Sequence, residues 1–444
     1  MFASVLLVGA LIALGVSTVS AQEVGGAGKA PVLTLQSGGY MPDLGGRIQI
    51  LAAGESFDQH GWSDDQQLFL YLKQAHLMVS GTLHDCDYYI ELMFGGEELP
   101  KRNSVMSLLD ASVNVPFIKN DLELKGGQFR VPYGRERLLD DGHMSTVDRS
   151  IVNNFFNLGY DVGGALHTKQ GIMAGTLGVF TGGGMNVPQR YIPEHIGIPM
   201  LVTRFGVNNG LDKSVFQPYQ NDDGENDSVK YAAYFNAAYT KDSRVGHSTP
   251  LNVKYADKSL MLDANWNPYI SAAHQKADFY QLGGDVSVQF PVSEEMALLL
   301  SGEVDYANFD NDAGSLASSG GLVSANLILP VWELGIRYAI VKPDSKMAYT
   351  KTTAATETKP ASTTLYPITD SNISEITPSV VYNLRRYGLK FIAEVSLQLD
   401  TPVSLDDGFG VINLMQTPGS VSGISKGTEL QDVYIAKVMA QFVF

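Results

Sequence analysis

Cysteine is nearly missing from these 444 residues: Cys86 is the only one. A lone thiol excludes an intrachain disulfide and any cysteine-based zinc site. The 8 histidines show no H-E-x-x-H spacing, so no metal site is expected from them. Charge is scarce too, at 18% of residues against roughly 25% in ordinary soluble chains. What charge there is leans acidic, with a formal net charge of −16. That excludes the basic surface a nucleic-acid binder needs. Beyond the first residues no stretch approaches about 20 uninterrupted apolar positions, so no helical membrane span is expected. The glycines of "TGGG" (181–184) are not followed by Lys-Ser/Thr, which excludes a phosphate-cradling loop there. No cofactor is expected.

An apolar run from Val5 to Val16 leads into "VSA", a small-x-small cleavage site after Ala21. Residues 1–21 therefore read as a signal peptide, although no Lys or Arg precedes the run. A buried helix or a membrane anchor is the competing reading, and the run is short for a span. Residues 22–43 read as a loose periplasmic N-terminus.

What the chain does have is alternation. In "DVYIAKVMAQFVF", Tyr434, Ala436, Val438, Ala440, Phe442 and Phe444 share one parity and are all apolar or aromatic. Lys437 and Gln441 share the other. Strands point alternate residues to opposite faces, so one face is greasy and the other is not. The same split recurs in "YQLGGDVSVQF", "VWELGIRYAI", "LKFIAEVSLQL", "TLHDCDYYIELMF" and "SLMLDANW". A soluble sandwich or an outer-membrane barrel could each produce it. Length decides: these runs span about 10–14 residues against a usual strand of about 5–6. Aromatics sit near their ends, as Tyr280 and Phe290 do. Ten tilted residues cover roughly 25 Å, the height of the lipid band between two aromatic girdles. The expected fold is an all-β transmembrane antiparallel barrel over residues 44–444, in the outer membrane of a Gram-negative bacterium. Its surroundings would be lipid and lipopolysaccharide.

A first parse finds one strand more than an even-numbered barrel allows, with the surplus among 199–206, 229–240 and 259–268. About 16 strands is the consistent answer. The acidic "NDDGENDS" and the Thr-rich "AYTKTTAATETKPASTT" read as loops. On this register the lumen carries Asp85, Asp87, Glu91, Asp110, Asp161, Asp263, Asp285, Glu303, Asp305, Glu333 and Glu394. The basic lumen set is Arg47, Lys73, Lys125, Arg130, Lys230, Arg337, Lys390 and Lys437.

Residues 132–159 form the third outer loop, and folded inward they would narrow the pore. Gly126–Gly127 reads as a bulge that would turn Lys125, Gln128 and Arg130 all inward. With Arg135, Arg137 and Arg149 on the loop, several guanidiniums would then meet near one level. Such a ring could hold oxyanions bidentately. Alternatively, these arginines pair with Asp140, Asp141 and Asp148 and only pin the loop to the wall. Catalysis is not expected: a barrel phospholipase needs Ser, His and a carboxamide converging on the lipid face, and His84 sits in the turn-like "SGTLHDC".

The run "LKGGQFRVPYGRERLLDDGHMSTVDRSIVNN", with its Asp148–Arg149 pair, resembles the phosphate-selective porin O/P family. "LYLKQAHLMVSGTL" and "VWELGIRY" are similar to other strands of that family. The resemblance implies a homotrimeric channel that passively conducts small polar solutes, anions such as phosphate among them. It also implies a pore lined by Arg and Lys and narrowed by the third loop. The paired basic residues expected in the second strand are reduced here to Lys73–Gln74. On the resemblance, the expected solutes are anions such as phosphate; the acidic lumen makes a general or weakly cation-selective porin the alternative, and a structural barrel anchoring a periplasmic partner is the third reading.

Overall fold

The computed structural model describes residues 42–57, 67–96, 106–118, 122–182, 199–218, 228–243, 277–311, 314–343, 348–353, 362–367, 372–385, 388–406, 410–413 and 428–444, with three two-residue strands at 33–34, 261–262 and 268–269. Residues 1–21 lie outside the described residues, as does most of "NDDGENDS".

Sixteen strands close a barrel. They are β1 (Asp43–Phe57), β2 (Gln67–Leu83), β3 (Cys86–Gly96), β4 (Ser107–Ile118), β5 (Leu122–Arg130), β6 (Tyr160–Gln170), β7 (Met173–Phe180) and β8 (Met200–Asn208). The second half is β9 (Lys230–Ser243), β10 (Ala277–Ser293), β11 (Met296–Asn311), β12 (Gly314–Ile328), β13 (Trp332–Lys342), β14 (Ile373–Arg385), β15 (Leu389–Asp406) and β16 (Thr428–Val443). Each pairs antiparallel with the next, and β16 returns to β1 with Arg47 opposite Val443. Gly46 N donates to Phe444 O at 2.8 Å, and Phe444 N donates to Gly46 O at 3.0 Å, completing the seam. Closure leaves no unpaired edge, which a lipid-embedded sheet cannot tolerate.

The burial pattern is inverted relative to a soluble protein. In β16, Tyr434, Val438 and Phe442 are exposed, whereas Gln431, Lys437 and Gln441 are buried. In β13, Trp332, Leu334, Ile336 and Tyr338 are exposed while Glu333 and Arg337 are buried. A greasy outer belt around a polar interior is stable only where lipid covers the belt. No described helix is long and apolar enough to cross a membrane.

The surplus strand is 259–268. There Met261–Leu262 and Pro268–Tyr269 form a separate two-stranded sheet outside the barrel. Asp263 lies outside the described residues. The Thr-rich loop also contains a hairpin, Ala348–Thr353 against Ser362–Pro367. Within 22–43, Leu33–Thr34 pairs with Leu44 and Asp43 of β1. Asp85 lies exposed in the β2–β3 turn beside His84, both at positive φ, whereas Asp87, also exposed, lines a chamber of the interior.

The expected bulge at Gly126–Gly127 is not there. The β4–β5 and β5–β6 registers run unbroken through both glycines, and the irregularity falls at Pro116/Ile118 instead. Gly127 absorbs the local twist at φ 131°, where a Cβ would meet Ala111 O at 2.1 Å. A register shift does occur in β2, where Gln49 of β1 pairs with Gln74 but Ile50 pairs with Leu72, leaving Lys73 as the extra residue, and Lys73, Gln74 and His76 are all buried. The extra residue lets two neighbours share the inner face.

Candidate functional site

The segment between β5 and β6 carries a short helix α1 (Arg135–Leu138), a 3-10 turn (Asp141–His143) and helix α2 (Ile151–Phe156). Ser150 caps α2 by accepting from Asn153 N at 3.1 Å. Phe155 and Phe156 bury against Phe279, Leu322 and Val341 on the inner wall, so α2 lies inside the barrel. Gly320 makes room: a Cβ there would sit 2.6 Å from the Phe156 ring.

From α2 back to β5 the loop is fastened to the inner faces of strands far around the barrel. Tyr133 Oη donates to Asp305 at 2.9 Å. Glu136 N donates to Glu303 at 3.0 Å. Val147 N donates to Glu394 at 2.7 Å. Lys390 Nζ donates to Met144 O at 2.7 Å, and Ser145 Oγ donates to Glu333. Asp148 receives Lys437 Nζ at 2.6 Å and is also bonded to Lys73. Burial of Tyr133 and the nearby Asp305 charge push its phenol up, so it remains a donor.

The arginines are the centre of the arrangement. Arg47 reaches Asp140 at 2.7 Å, Asp141 at 3.5 Å and Glu91 at 3.7 Å. Arg149 pairs with Asp141 and donates to Leu139 O at 2.8 Å. Arg337 joins Glu136 at 2.9 Å to Glu375 at 2.8 Å. Arg135 bonds Asp212 at 2.7 Å. Arg130 donates to Tyr160 Oη at 2.6 Å and to Leu139 O at 2.9 Å, while Arg137 lies 5.3 Å from the Tyr160 ring centre. Burial opposes ionisation of Asp140 and Asp141. Arg47 nevertheless holds the first well below the usual carboxylate range, and Arg149 with Arg130 and Arg47 does so for the second.

Arg204 was not among the residues expected to matter. It is fully buried, bidentate to Asp285 with one arm at 2.9 Å, bonded to Asn236 at 2.6 Å, and stacked 4.0 Å from the Tyr234 ring centre. The parity it shares with Met200 and Val202 was the available signal. Glu136, Asp212 and Glu375 were missed as well; nothing local marks them as partners of arginines in distant strands.

Lys125 stands apart. Its ammonium lies 4.9 Å from the Phe129 ring centre and 5.1 Å from that of Phe216. Among the described residues it makes no hydrogen bond or ion pair. It opens, with Arg130, onto a chamber of about 510 Å³ beside β1–β5. The chamber's other charged lining is Asp43, Asp87, Glu91, Asp110 and Asp140. Lys230, at the start of β9, does not line it.

A sequence profile of phosphate-selective porin O and P matches residues 43–267, just over half of the chain. The chain belongs to this family. It is an outer-membrane porin, a channel by family and fold. The anion-selective porin from Comamonas acidovorans has a similar fold, with TM-score 0.54 at 12% identity over 91% of this chain and 100% of that one. OmpT of Vibrio cholerae gives 0.48 at 10% identity over 93% and 99%. The channel DcaP of Acinetobacter baumannii gives 0.49 at 10% identity over 91% and 98%. No curated protein matches the sequence.

Proposed function

We propose that this porin is a passive diffusion channel for small polar solutes with a weak preference for cations. One observation carries the reading: the guanidiniums where loop meets wall are engaged. Arg47, Arg135, Arg149, Arg204 and Arg337 each have a carboxylate partner, and Arg130 is held by Tyr160 and a carbonyl. An arginine that already shares a buried carboxylate has little field left for a passing oxyanion. Of the open chamber's five carboxylates, Arg47 engages Glu91 and Asp140, which leaves Asp43, Asp87 and Asp110 against Lys125 and Arg130. Fields focus in such a low-dielectric passage, so the excess acid sets the sign. Reversal potential across a planar bilayer in a potassium chloride gradient tests this. A small cation-sign potential at low salt, fading as salt rises, is expected. An anion-sign potential overturns the reading.

The second reading is an anion channel, phosphate included, as the family's name suggests. Lys125 favours it as a lumen cation with no hydrogen bond or ion pair among the described residues. Here inorganic phosphate would block chloride current, and Lys125→Gln would abolish the block. Assembly as a homotrimer in lipopolysaccharide-bearing membrane belongs to both readings, supported by family membership. Cross-linking of the purified protein tests it.

A further inference from the structure

The connection from β8 to β9 begins at the barrel end that carries the tight β2–β3 and β6–β7 turns, the periplasmic end in porins. Asn208 N donates to Ile172 O of the β6–β7 turn at 2.7 Å. From there the chain turns into the lumen. Asn208 organises the bend: its Oδ1 accepts from Gly210 N at 3.0 Å and Asp212 N at 3.1 Å, and its Nδ2 donates to Asp212 O at 2.7 Å. Leu211 and Val215 bury against Tyr234, Leu299 and Ile328 on the inner wall. Phe216 packs edge-on to Phe129 at 6.0 Å and to His167 at 4.9 Å. The Asp212 carboxylate meets Arg135, which arrives on the loop from the opposite end, in a buried pair. Two segments from opposite mouths are thus joined inside the channel.

The consequence is lopsided. Between the outer loop and Ser301, Glu303, Arg337 and Ser379 of β11–β14 lies a cavity of about 50 Å³, which residues 208–217 do not line. The chamber beside β1–β5 is about 510 Å³. We propose that residues 208–217 are a periplasm-side stopper, latched to the outer loop through the Arg135–Asp212 pair. It seals the β7–β12 side of the lumen and confines permeation to the chamber beside β1–β5. The proposal rests on the open-channel reading above, but not on its ion preference.

Single-channel conductance tests it. Asp212→Asn removes the charge from the latch, so the stopper loosens. Conductance is expected to rise about twofold as the second lane opens. The charge exchange Arg135→Asp/Asp212→Arg should bring it back toward the parent. In a Cys86→Ser background, Val215→Cys should react slowly with a membrane-impermeant maleimide, and about tenfold faster once Asp212→Asn is added. Unchanged conductance and unchanged labelling in a protein with the heat-modifiable gel shift of a folded barrel overturn the stopper. Should Asp212→Asn fail to fold, Phe216→Ala carries the test, because it leaves the pair intact and removes the packing. It is expected to raise conductance, and no rise overturns the proposal. Reversal potential reports ion preference separately, so the two proposals fail on different readouts.

Discussion

Replacing Arg204 by Met is expected to be among the most destabilising single changes on the inner wall. Arg204 and Asp285 are both fully buried and bidentate, and Asn236 donates to the same carboxylate at 2.8 Å. Met keeps most of the side-chain volume but removes the cation. Asp285 then holds one neutral donor where it had a guanidinium. Breaking one side of a buried pair costs about 3–5 kcal/mol. At about 1.4 kcal/mol per decade, the unfolding equilibrium should shift by roughly 10²- to 10³-fold or more. Lost stacking on Tyr234 adds to this. The double variant Arg204→Met/Asp285→Leu removes both charges and should recover most of the loss, since buried pairs replaced by apolar side chains are often neutral. Urea titration of barrels folded into lipid vesicles, followed by the heat-modifiable gel shift, measures both. A single variant within about 1 kcal/mol of the parent would refute the argument. So would a double variant no better than the single.

Gly320→Val should push α2 off the wall, because a Cβ there would sit 2.6 Å from the Phe156 ring and 3.0 Å from Ile340 O; a loss of about 1–3 kcal/mol in the same titration is expected. Acid in the mild range should not loosen the contacts that Asp140 and Asp141 make with Arg47 and Arg149. Asp140 and Asp141 have folded pKa values held below their unfolded values, so their contribution is fully present above about pH 4 and is lost only as pH falls through the depressed values. Conductance steps that appear between pH 7 and 5 and persist in Asp141→Asn would assign gating elsewhere. In a Cys86→Ser background, Val286→Cys should be labelled by a lipid-soluble maleimide and Ser287→Cys should not, since Val286 is 48% exposed and Ser287 0%; the reverse pattern would invert the wall.

The alternation of apolar and polar residues settled much about this protein before any coordinates. Each strand's two faces are fixed by its own residues, because period-2 patterning is local and needs no partner. That was enough for a transmembrane barrel, for an even number of strands near 16, and for an inner face holding Arg47, Asp285, Glu303, Arg337, Lys390, Glu394 and Lys437. The surplus strand at 259–268 survived because its short alternation looks the same whether or not neighbouring strands accept it. Charge pairing was beyond sequence altogether. Lys437 finds Asp148 across 289 positions and Arg135 finds Asp212 across 77, and only barrel closure brings them within hydrogen-bonding reach. The sequence could show that the loop was rich in arginine. Whether those arginines remain available to a solute depends on which carboxylates the opposite wall and the 208–217 segment place against them, and tertiary structure alone decides that.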